Sequence, residues 1–347
     1  MPDVLQISLG TTHGLRVSDA RFATLLEQAG ASVETVGVRI GLTDRLRRAY
    51  PVNDLVEAAA ARRATESALR RVRPRALVFS TTTAALLVPD LGRPYAGRLD
   101  SPAVMNRPGA RNAVLHALER RRLAAATLVL PTSTAAAAAL PVGCAPSVVV
   151  PVPVVVPDLP ADSTREPLAI AYTPDPKAKG LDILCRAWAL AEKPHEARLE
   201  VFGIERERAL RHLRRTGVPE PAGVRWRGLA PAREFHGALA RCRAFITSAR
   251  WEDFGMTQLE ALALGALLVC TATEGPFEAR GIAAELKPEL VAADQTPDAL
   301  SGSISRAFAL DERALESYRA AAGTRLGPYA PGAVARTVAE RVLPALL

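Results

Sequence analysis

Short apolar runs alternate with longer stretches of helical periodicity along most of the chain. In the first half, the apolar runs predict buried strands at residues 4–9, 33–38, 76–79 and 128–130. Between them, apolar spacings of three to four residues predict helices at residues 18–29, 53–71 and 112–123. The alternation returns in the second half, with strands at residues 168–172, 198–202, 224–227, 244–247, 267–271 and 290–292 and helices at 181–191 and 258–264. Buried strands separated by helices are typical of parallel sheets with helices on both faces.

A proline-rich segment, residues 147–160, interrupts this alternation. Proline lacks a backbone N–H and stiffens the chain, so we expect the first valines to end a strand and the rest to form a linker. The sequence therefore predicts an α/β protein with two doubly wound, Rossmann-like parallel-sheet domains, residues 1–155 and 156–327. Ligands of such sheets bind beyond the carboxyl ends of the strands, here in an interdomain cleft.

Local signals refine the two ends of the chain. Ser18 is the predicted N-cap of the first helix and Gly30 its end. At the other end, valines spaced four residues apart predict a helix within residues 328–347, with Val334, Val338 and Val342 on one face. We expect this segment to cross back to the first domain.

The net charge of +8 is carried almost entirely by arginine, because the chain has only four lysines. Abundant arginine and alanine indicate coding bias, which spreads charge over the whole chain and weakens a nucleic-acid interpretation. The positive net charge still favours anionic ligands such as nucleotide diphosphates. Three consecutive arginines at residues 120–122 are open to two interpretations. They make a peripheral contact with anionic lipid or an acidic partner, or they form a solvated helix face, which we favour.

The four cysteines, Cys144, Cys185, Cys242 and Cys270, lack metal-type spacing. They are predicted to be buried thiols of a reducing compartment, with no disulfide and no zinc. No apolar run reaches the length of a membrane span, and the first residues show no basic leader. We therefore expect a cytoplasmic protein.

The segment 251–265, WEDFGMTQLEALALG, is the most informative part of the chain. Two carboxylates, Glu252 and Glu260, flank Gly255 at a predicted strand-to-helix turn. Glycine lets backbone N–H groups approach a phosphate at the positive end of a helix, and carboxylates accept hydrogen bonds from hydroxyls. The segment therefore predicts a sugar-nucleotide site.

Lys179 lies in a second turn of this kind, after one predicted strand and before the next helix. A lysine there can neutralise a diphosphate leaving group. A surface lysine in a turn is the simpler interpretation of a lone Lys-Gly pair. Because the glutamate segment lies at a matching strand end of the same domain, we favour the diphosphate.

Other familiar motifs are missing from the sequence. It has no G-x-G-x-x-G after a strand, no G-x-x-x-x-G-K-[ST], no G-x-S-x-G and no H-E-x-x-H. Oxidoreductase, nucleoside triphosphatase and hydrolase functions therefore lose their usual support. A nucleic-acid-binding protein is also disfavoured, because basic and aromatic residues are not interleaved.

Taken together, these residues resemble the GT-B glycosyltransferases, in particular the retaining group often called family 4. The similarity covers most of the second half, where the Lys-Gly turn, the glutamate segment and three further pieces match: Phe202-Gly203, residues 226–229 (WRGL) and residues 274–278 (EGPFE). The first half matches more loosely, through a glycine-bearing loop after the first strand and the Pro-Thr-Ser at residues 131–133. Pro328-Tyr329 followed by a helix resembles the segment that crosses back in this family.

The resemblance implies a role for each matching residue on the donor side. Lys179 would bind the diphosphate and Glu252 the hydroxyls of the donor sugar, so both are candidate catalytic residues. Glu260 would hold the ribose hydroxyls. The backbone that cradles sugar and diphosphate would come from Phe254, Gly255, Met256 and Thr257, and the turn near the base from Gly228 and Leu229.

On the acceptor side, the resemblance implies a loop that approaches the phosphates from the first domain: Gly10, Thr11, Thr12, His13 and Gly14. Many relatives carry a histidine near the position of Asp100. Asp100 either orients an acceptor hydroxyl or caps a turn, and His13 is the better-placed histidine. The remaining histidines are predicted at the surface: His116, His195, His212 and His236. Glu278 either contacts the donor or caps the following helix.

The resemblance implies a hexosyltransferase-type enzyme (EC 2.4) without a cofactor. It would move a sugar, with retention, from a nucleotide-diphosphate sugar to a hydroxyl of a small-molecule, lipid or glycan acceptor. No metal is expected, because the family uses cationic side chains and helix ends in its place.

One position departs from the family pattern. An arginine usually lies about five residues before the lysine, and here that position is Pro174. Loss of one such cation costs about 10²-fold in rate, by analogy with an oxyanion donor. Two hypotheses remain: Lys177 substitutes for the arginine, or the chain binds nucleotide sugars with little transfer, as the partner subunit of an active homologue.

Overall fold

The computed structural model describes residues 1–40, 51–157 and 165–347. It divides into two compact units, Met1–Pro153 with Tyr329–Leu347, and Val154–Pro328. The end of the predicted linker, residues 158–160, lies outside the described residues.

The first unit is built on five parallel strands in the order β2-β1-β3-β4-β5. Their bounds are β1 Val4–Ser8, β2 Val33–Gly37, β3 Ala76–Phe79, β4 Tyr95–Leu99 and β5 Leu128–Pro131. The connecting helices are α1 His13–Gln28, α2 Val52–Leu69, α3 Thr82–Ala85, α4 Ala103–Asn106, α5 Ala113–Ala125 and α6 Thr134–Ala138. Every residue of β1, β3 and β5 is buried, as expected for strands covered on both faces.

The second unit repeats the plan with the strand order β10-β9-β6-β7-β8, again all parallel. Its strands are β6 Glu166–Tyr172, β7 Arg198–Phe202, β8 Val224–Gly228, β9 Cys242–Thr247 and β10 Leu267–Cys270. Its helices are α7 Leu181–Leu190, α8 Arg206–Thr216, α9 Ala232–Arg241, α10 Met256–Ala263, α11 Glu278–Leu286, α12 Pro297–Ala309 and α13 Glu312–Arg325. The predicted fold class, α/β with two Rossmann-like parallel sheets, is confirmed.

Two local predictions are wrong, and one strand was not predicted. The first helix begins at His13 because Thr12, and not Ser18, is its N-cap; the Thr12 side chain accepts from the backbone N–H of Leu15 at 3.2 Å. The strand β4 was not predicted, because its sequence YAGRL contains a glycine and a charge. The strand predicted at residues 290–292 is only an isolated bridge between Val291 and Cys270.

Two features of the described residues bear on membranes. No helix among them has both the length and the apolar character that a membrane crossing requires. Of the three consecutive arginines on α5, Arg120 and Arg121 are exposed, while Arg122 is half-buried and donates through Nε to the carbonyl of Leu86 at 3.2 Å.

The C-terminal segment packs into the core of the first unit. It consists of α14 Pro331–Thr337, a π-helical stretch Val338–Val342 and α15 Leu343–Leu346. The predicted apolar face is buried, and Val338 shares a core cluster with Phe22 and Leu130.

We predict that Val338→Ala lowers the free energy of unfolding of the first unit by about 2 kcal/mol, because it removes two fully buried methyl groups and leaves a cavity. Arg341→Ala, an exposed position in the same stretch, is the control and is expected to change it by less than about 0.5 kcal/mol. Urea denaturation followed by circular dichroism measures both; equal effects would mean that the segment contributes no core packing.

Candidate active site

The glutamate segment follows β9 and leads into α10. The backbone N–H of Glu252 donates to the carbonyl of Glu274 at 3.0 Å, which ties this loop to the loop after β10. Gly255 precedes the helix with φ +86°, and a Cβ there would lie 2.5 Å from the Phe277 ring. Only glycine combines this backbone conformation with so close an approach, so the sequence has little choice at this turn.

The lysine turn connects β6 and α7. The Asp175 carboxylate accepts from the backbone N–H groups of Lys177 and Ala178, both at 2.9 Å. Gly180 has φ +63°, and a Cβ on it would overlap the carbonyl oxygen of Ser248, just after β9. The Ser248 hydroxyl donates to the carbonyls of Lys179 and Gly180, at 3.0 and 2.9 Å. The lysine turn therefore packs directly on the end of β9.

This packing brings together the two predicted catalytic side chains. Lys179 Nζ donates to Glu252 Oε2 at 2.7 Å, and the two side chains are only 24% and 14% exposed. Gln258 Nε2 donates to the same oxygen at 2.9 Å. Gln258 lies inside the predicted segment, but nothing in the sequence indicated that it would hold Glu252.

Glu260, the second carboxylate, lies next to a histidine that was predicted at the surface. His236 Nε2 is 3.3 Å from Glu260 Oε2, and both side chains are nearly nine-tenths buried. The prediction for His236 is wrong because α9 packs against α10. A signal was present in the sequence: His236 lies one helical turn before Leu239, a fully buried residue.

An aromatic cluster lies beside this histidine, with the Phe235 ring centroid 6.1 Å from its own. Its neighbour Phe235 packs against Phe202 and Tyr172, with ring centroids 5.1 and 5.7 Å away. Burial raises the pKa of Tyr172, and the charge of Lys179 acts in the opposite direction. Residues of β6, β7, α9 and α10 therefore connect the surroundings of Glu260 with those of Lys179.

The other predicted donor residues lie at separate points of the same unit. Gly228 ends β8 with φ +63°, beside the Glu205 carboxylate, and Leu229 is 79% exposed. Phe254 is buried, while Met256 and Thr257 form the first turn of α10, where backbone N–H groups lack helical partners. Glu278 is the first residue of α11 and is half-buried.

Lys177 is exposed, and its backbone forms hydrogen bonds within the turn and to Arg250. Its carbonyl accepts from Arg250 Nε at 3.2 Å. Its role in donor binding stays a prediction. Among the described residues, no group of three or more histidine, cysteine, aspartate or glutamate side chains is arranged to hold a metal ion.

In the first unit, the glycine-bearing loop connects β1 to α1. Gly10 has φ +55°, and its carbonyl accepts from Arg16 Nη1 at 2.9 Å. Thr11 follows it half-buried, Thr12 caps the helix, the exposed His13 begins it and Gly14 lies within it. The Thr12 cap therefore fixes the end of this loop where it enters α1. The His13 side chain lies at the surface.

Asp100 follows β4 and accepts from the Thr132 hydroxyl at 3.0 Å, so it meets the predicted Pro-Thr-Ser element. Beneath it, Arg98 and Asp19 form an ion pair at 3.2 Å that is almost fully buried. The Ser8 hydroxyl also donates to Asp19, at 2.5 Å. Burial raises the pKa of Asp19 and lowers that of Arg98. No motif in the sequence indicated this pair.

Comparison with known proteins finds one family model that matches most of the second unit. Residues 168–309 match the family model described as Glycosyl transferases group 1, and this range includes the lysine turn and the whole glutamate segment. No curated protein matches the chain.

Solved structures extend the similarity to nearly the full length of the chain. Sucrose-phosphate synthase from Thermosynechococcus elongatus is 15% identical, with 97% of each chain covered and a TM-score of 0.74. HepE from Anabaena, solved with UDP-glucose, is 14% identical, covers 98% of this chain and 99% of its own, and has a TM-score of 0.68. The α,α-trehalose 6-phosphate synthase from Burkholderia multivorans is 13% identical, with 97% of each chain covered and a TM-score of 0.68. The GT-B fold implied by the sequence resemblance is confirmed.

We predict that Gly180→Ala lowers the free energy of unfolding of the second unit by about 3 kcal/mol, because a positive φ and an overlap with Ser248 both oppose the new methyl group. Gly217→Ala is a matched control: Gly217 has φ +65° with open space around it, so only about 1 kcal/mol of backbone strain is expected. Urea denaturation compares the two variants. Equal losses would contradict the tight packing of the lysine turn on β9.

Proposed function

We propose that the protein is a retaining, metal-independent glycosyltransferase that moves a sugar from a nucleotide-diphosphate sugar to a hydroxyl acceptor. One observation carries the proposal. In a unit whose residues 168–309 match the model of glycosyl transferases group 1, Lys179 and Glu252 lie in hydrogen-bond contact at the ends of two neighbouring strands, next to the N-terminus of α10.

The charges in this arrangement suit a sugar diphosphate. A diphosphate carries more negative charge than one carboxylate, so it can compete with Glu252 for Lys179. The N–H groups of Met256 and Thr257 at the start of α10 add to the positive charge of Lys179, because the N-terminus of a helix is partially positive. Glu252, released from the lysine, is then available to accept hydrogen bonds from the sugar hydroxyls, with Gln258 holding its orientation.

Glu260 is the proposed partner of the ribose hydroxyls. Its carboxylate is largely buried, with 13% of the side chain exposed, and lies against His236; ribose hydroxyls can donate to carboxylate oxygens at such a position. The nearby turn at Gly228 and Leu229 is proposed to lie beside the base. The Anabaena HepE structures contain UDP, with glucose or as UDP-glucose, so UDP-sugars are the first donors to test.

Transfer in this proposal uses no metal, because Lys179 and the start of α10 supply the positive charge that stabilises the leaving diphosphate. Retention is proposed to use the leaving phosphate as the base on the same face of the sugar. Asp100 is the candidate to orient the acceptor hydroxyl, which belongs to a small molecule, a lipid or a glycan. We propose a cytoplasmic location, supported by four free cysteines.

We predict that Lys179→Ala and Glu260→Ala each lower the rate of sugar release or transfer from UDP-glucose by at least about 10²-fold. The reason is that the first variant removes the cation beside the leaving group and the second removes a contact with the nucleotide. Assays run in EDTA also test metal independence, because activity must persist there. Lys287→Ala, a partly exposed lysine outside the site, is the control and is expected to keep full activity.

Unchanged turnover in both site variants would overturn the assignment of the site. A wild-type protein that binds nucleotide sugars but transfers to no acceptor would instead support the binding-partner hypothesis that Pro174 raises. The assay with UDP-, GDP- and dTDP-sugars separates these outcomes, since a donor at about a hundred times its Kd also stabilises the fold by about 2.7 kcal/mol.

A further inference from the structure

A second charged feature of the second unit lies outside the proposed donor site. A cavity of about 520 Å³ is lined by parts of α7, α8 and the lysine turn, whereas neither Lys179 nor Glu252 lines it. Five of its lining residues are cationic: Lys177, Arg208, Arg211, Arg215 and Arg250. Only two carboxylates, Asp175 and Asp182, line it with them. We call this the basic cavity.

The two carboxylates are already engaged within the fold. Asp182 accepts from Arg250 Nη2 through both oxygens, at 3.0 and 2.9 Å, and Asp175 caps the lysine turn. They therefore offset part of the positive charge, but within the described residues neither forms an ion pair with the three α8 arginines that line the cavity.

The α8 arginines are spaced to act together. Arg208, Arg211 and Arg215 are separated by three and four residues, which puts them on one face of the helix, and all three are exposed. The nearest carboxylate of Arg211 is that of Glu207, 4.0 Å away and 92% exposed. In the described part of the chain, neither Arg208 nor Arg215 forms an ion pair. Their guanidinium groups are thus available to a ligand.

Cations gathered in a concave surface repel one another and attract an anion. Arginine suits phosphate in particular, because its planar fork donates two parallel hydrogen bonds to phosphate oxygens. The volume of the cavity lies within the range of about 300–1,000 Å³ that is usual for small-molecule sites. We propose that the basic cavity is a binding site for a phosphate monoester group, carried by a small phosphorylated molecule or by a lipid headgroup.

The proposal goes beyond the transferase function and does not require it. The two sites meet at the turn 175–180, where Lys177 lines the basic cavity and Lys179 contacts Glu252. This proposal assigns Lys177 to the basic cavity. Arg250 links the turn to the cavity wall, because its backbone N–H donates to Ala178 and its guanidinium holds Asp182.

The test is isothermal titration of the full chain with inorganic phosphate at constant ionic strength. In the variant R211Q/R215Q, we expect phosphate affinity to fall by about tenfold or more, because two guanidinium partners are lost. The matched control R214Q/R225Q removes two exposed arginines that do not line the cavity, and we expect a change of less than about twofold. Melting curves establish that both variants fold.

A second arm distinguishes the source of the phosphate group. Flotation with phosphatidylcholine vesicles containing phosphatidic acid tests a lipid headgroup, and R211Q/R215Q must lose that binding if the headgroup enters the cavity. Binding of inorganic phosphate without vesicle binding identifies a small molecule as the source, and vesicle binding identifies the lipid. The proposal is overturned if R211Q/R215Q matches wild type in both arms, or if wild type binds in neither.

Lys179→Ala separates this proposal from the donor site. We expect it to leave phosphate binding at the basic cavity within about twofold of wild type while it weakens UDP binding. If phosphate binding is instead lost in Lys179→Ala and kept in R211Q/R215Q, the phosphate site is the donor site and the present inference is wrong. The proposed function would survive that result.

Discussion

The contact between Gly180 and Ser248 fixes the distance between two loops on which the candidate site of this protein depends. With φ +63° and no side chain, Gly180 lets the turn after β6 rest on the backbone that leaves β9. The Ser248 hydroxyl then bonds to two carbonyls of that turn. Because β6 and β9 are hydrogen-bonded neighbours, the loops at their ends start close together, and this contact brings Lys179 within 2.7 Å of Glu252.

The resulting ion pair has a dual effect on a ligand. It holds both side chains in place before a donor arrives, which limits the conformational entropy lost on binding. It also has to be exchanged, because a diphosphate and a carboxylate compete for the same ammonium group. Gln258 favours the exchange, since it still donates to Glu252 when the lysine turns to another partner. In a similar way, His236 contacts the Glu260 carboxylate and can hold it in place.

Much of the fold could be predicted from the sequence, because fully buried strands and amphipathic helices differ in their apolar period. The turns at Gly180 and Gly255 could also be predicted, because the preference of such turns for glycine is a local property of the sequence. The features that were not predicted correctly depend on tertiary contacts. The strand β4 contains Arg98, a charge that only a buried partner such as Asp19 makes acceptable there. Ser18 resembles a helix cap, yet it lies inside α1 and accepts from Arg98 at 3.0 Å. His236 faces inward because of the packing of α9 on α10, which the sequence indicated only through the helical spacing to Leu239.

The central claim is that Lys179 and Glu252 bind different parts of one ligand: the lysine binds the diphosphate, and the glutamate binds the sugar. Calorimetric binding of UDP and of UDP-glucose to Glu252→Gln tests it most directly. The claim predicts that this variant loses about tenfold in affinity for UDP-glucose, because hydrogen bonds to a charged group are lost, while its affinity for UDP stays the same or rises as Lys179 is freed. Equal weakening of both ligands, or of neither, would contradict it.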